Sequence, residues 1–176
     1  MSNFTRVSEM NTAFGKPKGN PKSIEWDRIR SQCLNIADEL GELFVALGAN
    51  KANTEFAVGN LKAIATDIRE DVDVDGVRDA LCDVHVFAYG AHHLMGIDAD
   101  VDMDTVVTSI FSRFIKDEAD LMTTVNMHAA KGVTTISFGG TYPKMVMYSA
   151  KDQPDAPKGK FLKSASYKQP SFYSID

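Results

Sequence analysis

The chain has 176 residues and a 44% apolar fraction, enough for one domain with a real core. Its formal net charge of −5 argues against a general nucleic-acid binder, which would present a basic surface, and no apolar run approaches the ~20 residues of a membrane span. Cys33 and Cys82 sit in apolar helical patterns with no CxxC spacing and read as buried, reduced thiols. With no apolar signal core in Met1-Ser2-Asn3-Phe4-Thr5-Arg6, this makes the expected compartment the cytoplasm.

Phe4, Val7, Met10 and Phe14 share one face of a first helix over 4–14. Gly15 to Pro21 breaks it. A second helix is predicted over 24–47, with Ser23 as N-cap and an apolar stripe of Ile29, Cys33, Ile36, Leu40, Leu43, Phe44 and Leu47. Gly48 ends it. A third follows over 55–70, capped by Thr54, with Phe56, Leu61, Ile64 and Ile68 inward. Asp71, Asp73 and Asp75 alternate with valine like a calcium loop, but the glutamate expected at the twelfth position is Cys82, so a turn with Asp75 as N-cap is the better reading.

The fourth helix, 77–95, is apolar on nearly every side and is expected to lie buried at the centre. Its polar residues Asp79, Asp83, His85, His92 and His93 then need partners, and each histidine reads first as a core residue with a satisfied hydrogen bond. Asp102 is the expected cap of a fifth helix over 103–117, with Val106, Val107, Ile110, Phe111 and Phe114 inward. After Met122 the pattern changes. Residues 133–138 and 145–148 are β-prone and flank Gly139-Gly140-Thr141-Tyr142-Pro143, which predicts a hairpin. The polar, proline-interrupted tail from Lys151 reads as extended, lying on the helices or on a neighbouring subunit. The expected organisation is a helical catalytic domain over 1–122 and a C-terminal hairpin and tail over 123–176.

The chemistry concentrates in Asp38-Glu39-Leu40-Gly41-Glu42. Glu39 and Glu42 are three apart and project from one helix face, with no basic residue in the segment. Asp79 and Asp83, four apart, form a second pair on one face of the fourth helix. Two helices each carrying a carboxylate pair bring four hard oxygen donors toward one point, which suits Mg²⁺ or Mn²⁺ rather than zinc. The plain alternative is a solvated helix face with ordinary salt bridges.

These residues resemble the all-α nucleoside triphosphate pyrophosphohydrolases, in particular the MazG-like and phosphoribosyl-ATP-pyrophosphohydrolase-like proteins common in phages. The likeness rests on Glu39-x-x-Glu42, then Asp79-Ala80-Leu81-Cys82-Asp83, Tyr89-Gly90-Ala91 and Gly96-Ile97-Asp98. It extends to Met10 to Gly15, Ser112-Arg113-Phe114-Ile115-Lys116, Gly159 to Lys163 and Tyr167-Lys168-Gln169-Pro170. One departure is that the second motif is usually Glu-x-x-Asp, whereas the position three before Asp83 is Ala80, leaving Asp79 as the available carboxylate.

The resemblance implies a helical bundle with a C-terminal β-hairpin and extended tail. It implies hydrolysis of a (d)NTP to (d)NMP and diphosphate with two or three Mg²⁺ or Mn²⁺ ions. Glu39, Glu42, Asp79 and Asp83 become the expected metal ligands, with Asp38 as an extra ligand or as the base for water. Arg113 and Lys116 are expected on phosphate oxygens, and Asn11 and Trp26 at the base, with packing the simpler role for Trp26. The likest branch is the MazZ type, which implies a purine substrate such as dGTP in phage nucleotide-pool remodelling, in the host cytoplasm. A homodimer or homotetramer with the fourth helix in its interface is expected, with no nucleic-acid or membrane partner. The competing class is a non-catalytic helical nucleotide-binding or regulatory protein stabilised by a structural ion.

Overall fold

The structure is a computed structural model that describes residues 1–66 and 71–174. It is mainly helical, with a small antiparallel sheet near the C-terminus. The helices are α1 (Asn3–Ala13), α2 (Trp26–Ala46), α3 (Lys51–Thr66), α4 (Val74–Met95), α5 (Ala99–Phe111) and α6 (Glu118–Ala129). The strands are β1 (Ile136–Gly139), β2 (Val146–Ser149) and β3 (Phe161–Leu162), in the order β1-β2-β3. No helix among the described residues is long and apolar enough to cross a membrane. The chain forms two compact units, Gly19–Asp83 and Met1–Lys18 with Val84–Asp176.

In the larger unit, Ile115, Val133, Met147, Ala156 and Leu162 form the core, flanked by Leu121, Val125, Ile136 and Met145. Phe14 at the end of α1 packs on Phe114 and Phe161, with ring centroids 4.9 and 4.7 Å apart. The predicted hairpin is present, with Ile136 opposite Ser149 and Gly139 opposite Val146. Gly140 sits in its turn at φ +68°, where an added Cβ would meet the Lys144 carbonyl oxygen at 3.1 Å. The tail supplies core as well as covering: β3 pairs with β2, and Ala156, Leu162 and Ser164 are buried. The Gln153 side chain behaves as a short extra strand, accepting from the Thr134 and Thr135 amides at 2.9 and 2.8 Å and donating to the Thr135 carbonyl at 2.8 Å.

Several helix starts differ from expectation, each for a local reason. The Asn20 side chain accepts from the Lys22 amide and its carbonyl from the Ser23 amide, holding Ser23 in a turn, so α2 begins at Trp26. Asn50, not Thr54, serves the start of α3: its Oδ1 accepts from the Asn53 amide at 3.1 Å, while the Thr54 hydroxyl donates back to the Asn50 carbonyl. Asp73, not Asp75, accepts from the Gly76 amide at 3.0 Å at the start of α4. Asp98, not Asp102, caps α5, accepting from the Asp100 amide at 2.9 Å. The end of α5 comes early because Ile115 is taken into an antiparallel bridge with Met145. Asp117 then caps α6, a helix that the sequence reading does not include.

The inward faces need correction too. The expected fifth-helix core holds, with Val107 and Phe114 buried and Val106, Ile110 and Phe111 half-buried. By contrast α4 has no buried residue, and Phe87 and Leu94 are 74% and 88% exposed. On α3, Phe56, Leu61 and Ile64 face outward, while Ile68 and Glu70 lie outside the described residues. Cys33 and Cys82 are exposed. In the unit 19–83 the fully buried described residues are Ala37 and Gly41. The α2 stripe of Leu40, Leu43, Phe44 and Leu47 is therefore only partly covered, at 44–72% exposed.

Candidate functional site

The acidic face of α2 is built on the contact between α2 and α3. Gly41 lies so close to α3 that an added Cβ would meet Val58 Cγ2 at 2.7 Å. This approach brings Asp38 to Lys62 of α3, whose Nζ stands 2.6 and 2.7 Å from the two carboxylate oxygens. A groove of about 860 Å³ runs along this contact, lined by Asp38, Glu42, Val45, Thr54, Val58 and Lys62 among others. Its lining is mainly apolar and includes charges of both signs, with Lys51 and Glu55 as a further pair at 3.8 Å.

The remaining expected ligands stand differently. Glu39 and Glu42 on α2, and Asp79 and Asp83 on α4, are exposed and have no hydrogen bond or ion pair with a described residue. Ionised carboxylates are acceptors only, so in donor chemistry the four fit a hard divalent cation. They are not gathered within one chain: among the described residues no three His, Cys, Asp or Glu side chains converge as a metal-holding group.

The expected substrate contacts are placed as follows. Asn11 is half-buried and spends its amide on the Val7 carbonyl at 3.0 Å. Trp26 is half-buried at the first position of α2. Lys116 is exposed, its backbone amide donating to Asp120. Of the α4 histidines, His92 bonds the Ala88 carbonyl at 2.9 Å, but from a half-exposed position rather than a core.

Arg113 is the most constrained of these residues. Its Nε is buried without a hydrogen-bond partner, and its guanidinium carbon lies 5.4 Å from the centroid of the Tyr167 ring. Lys163 Nζ lies 4.3 Å from the same centroid. The Tyr167 phenol is held below its ordinary pKa by the Ser109 hydroxyl at its side, by the Arg113 guanidinium and by the charge of Lys163. The Ser109 proton also serves the Lys168 carbonyl at 2.7 Å, which leaves the two cations as the durable part of that effect.

Sequence reasoning missed Lys62, Lys163 and Tyr167 as parts of these arrangements. Lys62 carries no local signal, because its partner Asp38 is on another helix. Lys163 and Tyr167 fall in stretches that carry the family likeness, but their spacing says nothing of Arg113. Compared with protein-family models, with curated proteins and with solved structures, the chain matches none.

Proposed function

We propose that the chain is a metal-dependent nucleoside triphosphate pyrophosphohydrolase of the all-α type, cleaving a (d)NTP with water to a (d)NMP and diphosphate. The observation that carries this reading is the set of four exposed carboxylates, Glu39, Glu42, Asp79 and Asp83, on two helix faces with no ion pair to a described residue. Like charges at helical spacing cost a few tenths of a kcal/mol. The family likeness adds the reaction, and its MazZ branch adds a purine deoxynucleotide such as dGTP as substrate.

Mg²⁺ or Mn²⁺, when bound, supplies charge neutralisation and a more acidic water. The chain's part is to hold the ions through the Glu39, Glu42, Asp79 and Asp83 oxygens. Both oxygens of Asp38 face the Lys62 ammonium, so it also places a cation at the margin of the acidic face. Arg113 and Lys116 remain the donors offered to phosphate oxygens. The test is phosphate release from a panel of (d)NTPs with Mg²⁺ or Mn²⁺ and a coupled pyrophosphatase. Release from at least one purine dNTP is expected. No release from any nucleotide with either metal overturns the reading, and metal binding without turnover would favour a non-catalytic nucleotide-binding protein.

The working form under this reading is a homodimer or homotetramer. The unit 19–83 exposes Leu40, Leu43, Phe44, Leu47, Phe56, Leu61 and Ile64, each at least 44% accessible. At roughly 100 Å² of exposed apolar surface each, these seven withhold on the order of 700 Å². A specific interface removes about 800 Å² per partner, and a second copy of the chain supplies a matching apolar face. Analytical ultracentrifugation of Phe44→Glu should show the wild-type oligomer dissociating toward monomer. A monomeric wild-type chain, or an unchanged oligomer in the variant, contradicts this.

A further inference from the structure

Arg113 and Lys163 converge on the Tyr167 ring, at 5.4 and 4.3 Å from its centroid. No described carboxylate lies within ion-pair distance of either cation. Two positive charges on one ring repel each other, and the negative face of the ring offsets this only in part. The usual remedy, a neighbouring Asp or Glu, is absent among the described residues: the nearby Asp120 is turned to the Lys116 amide at 3.2 Å and the Ser166 hydroxyl at 3.1 Å.

The cluster is also built rather than incidental. The segment bearing Lys163 and Tyr167 is fastened on both sides. The Ser164 amide donates to the Arg113 carbonyl at 3.2 Å, and the Ser164 hydroxyl to the Ser112 carbonyl at 2.8 Å. The Ala165 amide donates to the buried Thr124 hydroxyl at 2.9 Å, and the Lys168 amide to the Ser112 hydroxyl at 2.8 Å. His128 Nε2 bonds the Lys163 carbonyl at 2.9 Å. Ordering of this kind is what a recognition site needs in advance of its ligand.

The third observation is the orphan. Arg113 Nε is a buried donor with no acceptor, and nearly all buried polar atoms in folded proteins have a partner in the protein, in water or in an ion. A guanidinium and an ammonium offer only donors and a phenol hydroxyl can donate as well as accept, a combination able to receive a tetrahedral oxyanion.

We propose that Arg113, Lys163 and Tyr167 form a phosphate-binding site, which takes the phosphate groups of a nucleotide or free pyrophosphate. The site lies within the larger unit and does not depend on the metal reading. Its test is therefore run without metal, in excess EDTA, by isothermal titration calorimetry on the full-length protein. The probes are inorganic pyrophosphate and dGTP. Saturable binding of pyrophosphate is expected, weakened at least tenfold in Lys163→Glu and Arg113→Gln and unchanged in Lys131→Gln, a control at an exposed lysine beyond α6. Competition between dGTP and pyrophosphate assigns the site to the nucleotide, and binding of pyrophosphate alone assigns it to the free anion. Lys163 is exposed, so its charge reversal should leave the circular dichroism spectrum intact. If it does not, Lys163→Gln reads the same direction at smaller amplitude.

A second readout follows the phenol itself. The difference between wild-type and Tyr167→Phe tyrosinate absorbance reports the Tyr167 titration, which should move to higher pH when pyrophosphate binds. Absence of pyrophosphate binding, wild-type affinity in both charge variants, or an equal loss in Lys131→Gln overturns the proposal. Binding of dGTP without binding of pyrophosphate also overturns it, because a site read by the base is not a phosphate site.

Discussion

Glu39→Gln, Glu42→Gln and Asp83→Ala should each lower (d)NTP turnover by roughly a hundredfold to a thousandfold without lowering the melting temperature. The size follows from the role proposed for these side chains. A metal centre contributes several kcal/mol to a reaction that develops negative charge, and each 1.36 kcal/mol is tenfold in rate. The second half of the prediction follows from exposure. These carboxylates have no described partner to lose, and Glu39 and Glu42 repel one another at helical spacing, so removing one charge relieves a few tenths of a kcal/mol.

Asp79→Ala should cost less, about tenfold to a hundredfold, as the loss of a residue that supports a ligand does. Asp79 and Asp83 are about 400° apart along α4 and nearly superimposed on one face, whereas Ala80 points about 100° away. The short Asp79 side chain then reaches an ion through water while Asp83 binds directly. Steady-state assays with thermal melts on all four variants decide the matter. Near-normal turnover in both glutamate variants would sink the metal-site reading. Equal, complete loss in Asp79→Ala and Asp83→Ala would make Asp79 a direct ligand.

Removing residues 151–176 should unfold the larger unit rather than trim it. The tail contributes Ala156 and Leu162 to the five-residue buried cluster, and its β3 is hydrogen-bonded to β2. It also places Phe161 against Phe14, Phe114 and Tyr148. The buried Ser149 hydroxyl donates to the Ala156 carbonyl, a bond that truncation leaves unmade in the core. Leu162→Ala alone should cost about 2–5 kcal/mol, the range for a buried leucine cut back to a methyl group. Against a typical total of about 5–15 kcal/mol, loss of the whole tail exceeds what the unit can absorb. Urea denaturation of Leu162→Ala and circular dichroism of the truncated chain measure this. A truncated protein that keeps a cooperative melting transition and its helicity would show that the tail only covers the core.

That the tail supplies core residues leaves no signal in the sequence. Its composition is polar and its prolines break every periodic pattern, so no run of residues announces burial. Ala156, Leu162 and Ser164 are buried at separate points along the tail, and single insertions of this kind leave no period to detect. Strand β3 is only two residues long and exists because β2 offers it an edge.

The fourth helix failed in the opposite direction. Its apolar surround was legible and real, but the inference from an oily helix to a buried one assumed a covering surface that the described residues do not supply. Among the candidate site residues, the carboxylates were legible because helical spacing alone puts Glu39 with Glu42 and Asp79 with Asp83. The Lys62 ammonium on Asp38 was not, since it depends on how closely Gly41 lets α3 approach.

What the sequence by itself determined is what depends on near neighbours along the chain. That covers the helical periods, the two β-prone runs of the hairpin and the carboxylate pairs that share a helix face. All of these arise from backbone geometry that repeats every few residues. Only the tertiary structure decided which apolar faces are covered, which polar group caps each helix and which cations meet at Tyr167. Those outcomes are contests between distant groups for the same hydrogen bonds, surface and charge, and the winner is set by which elements pack together.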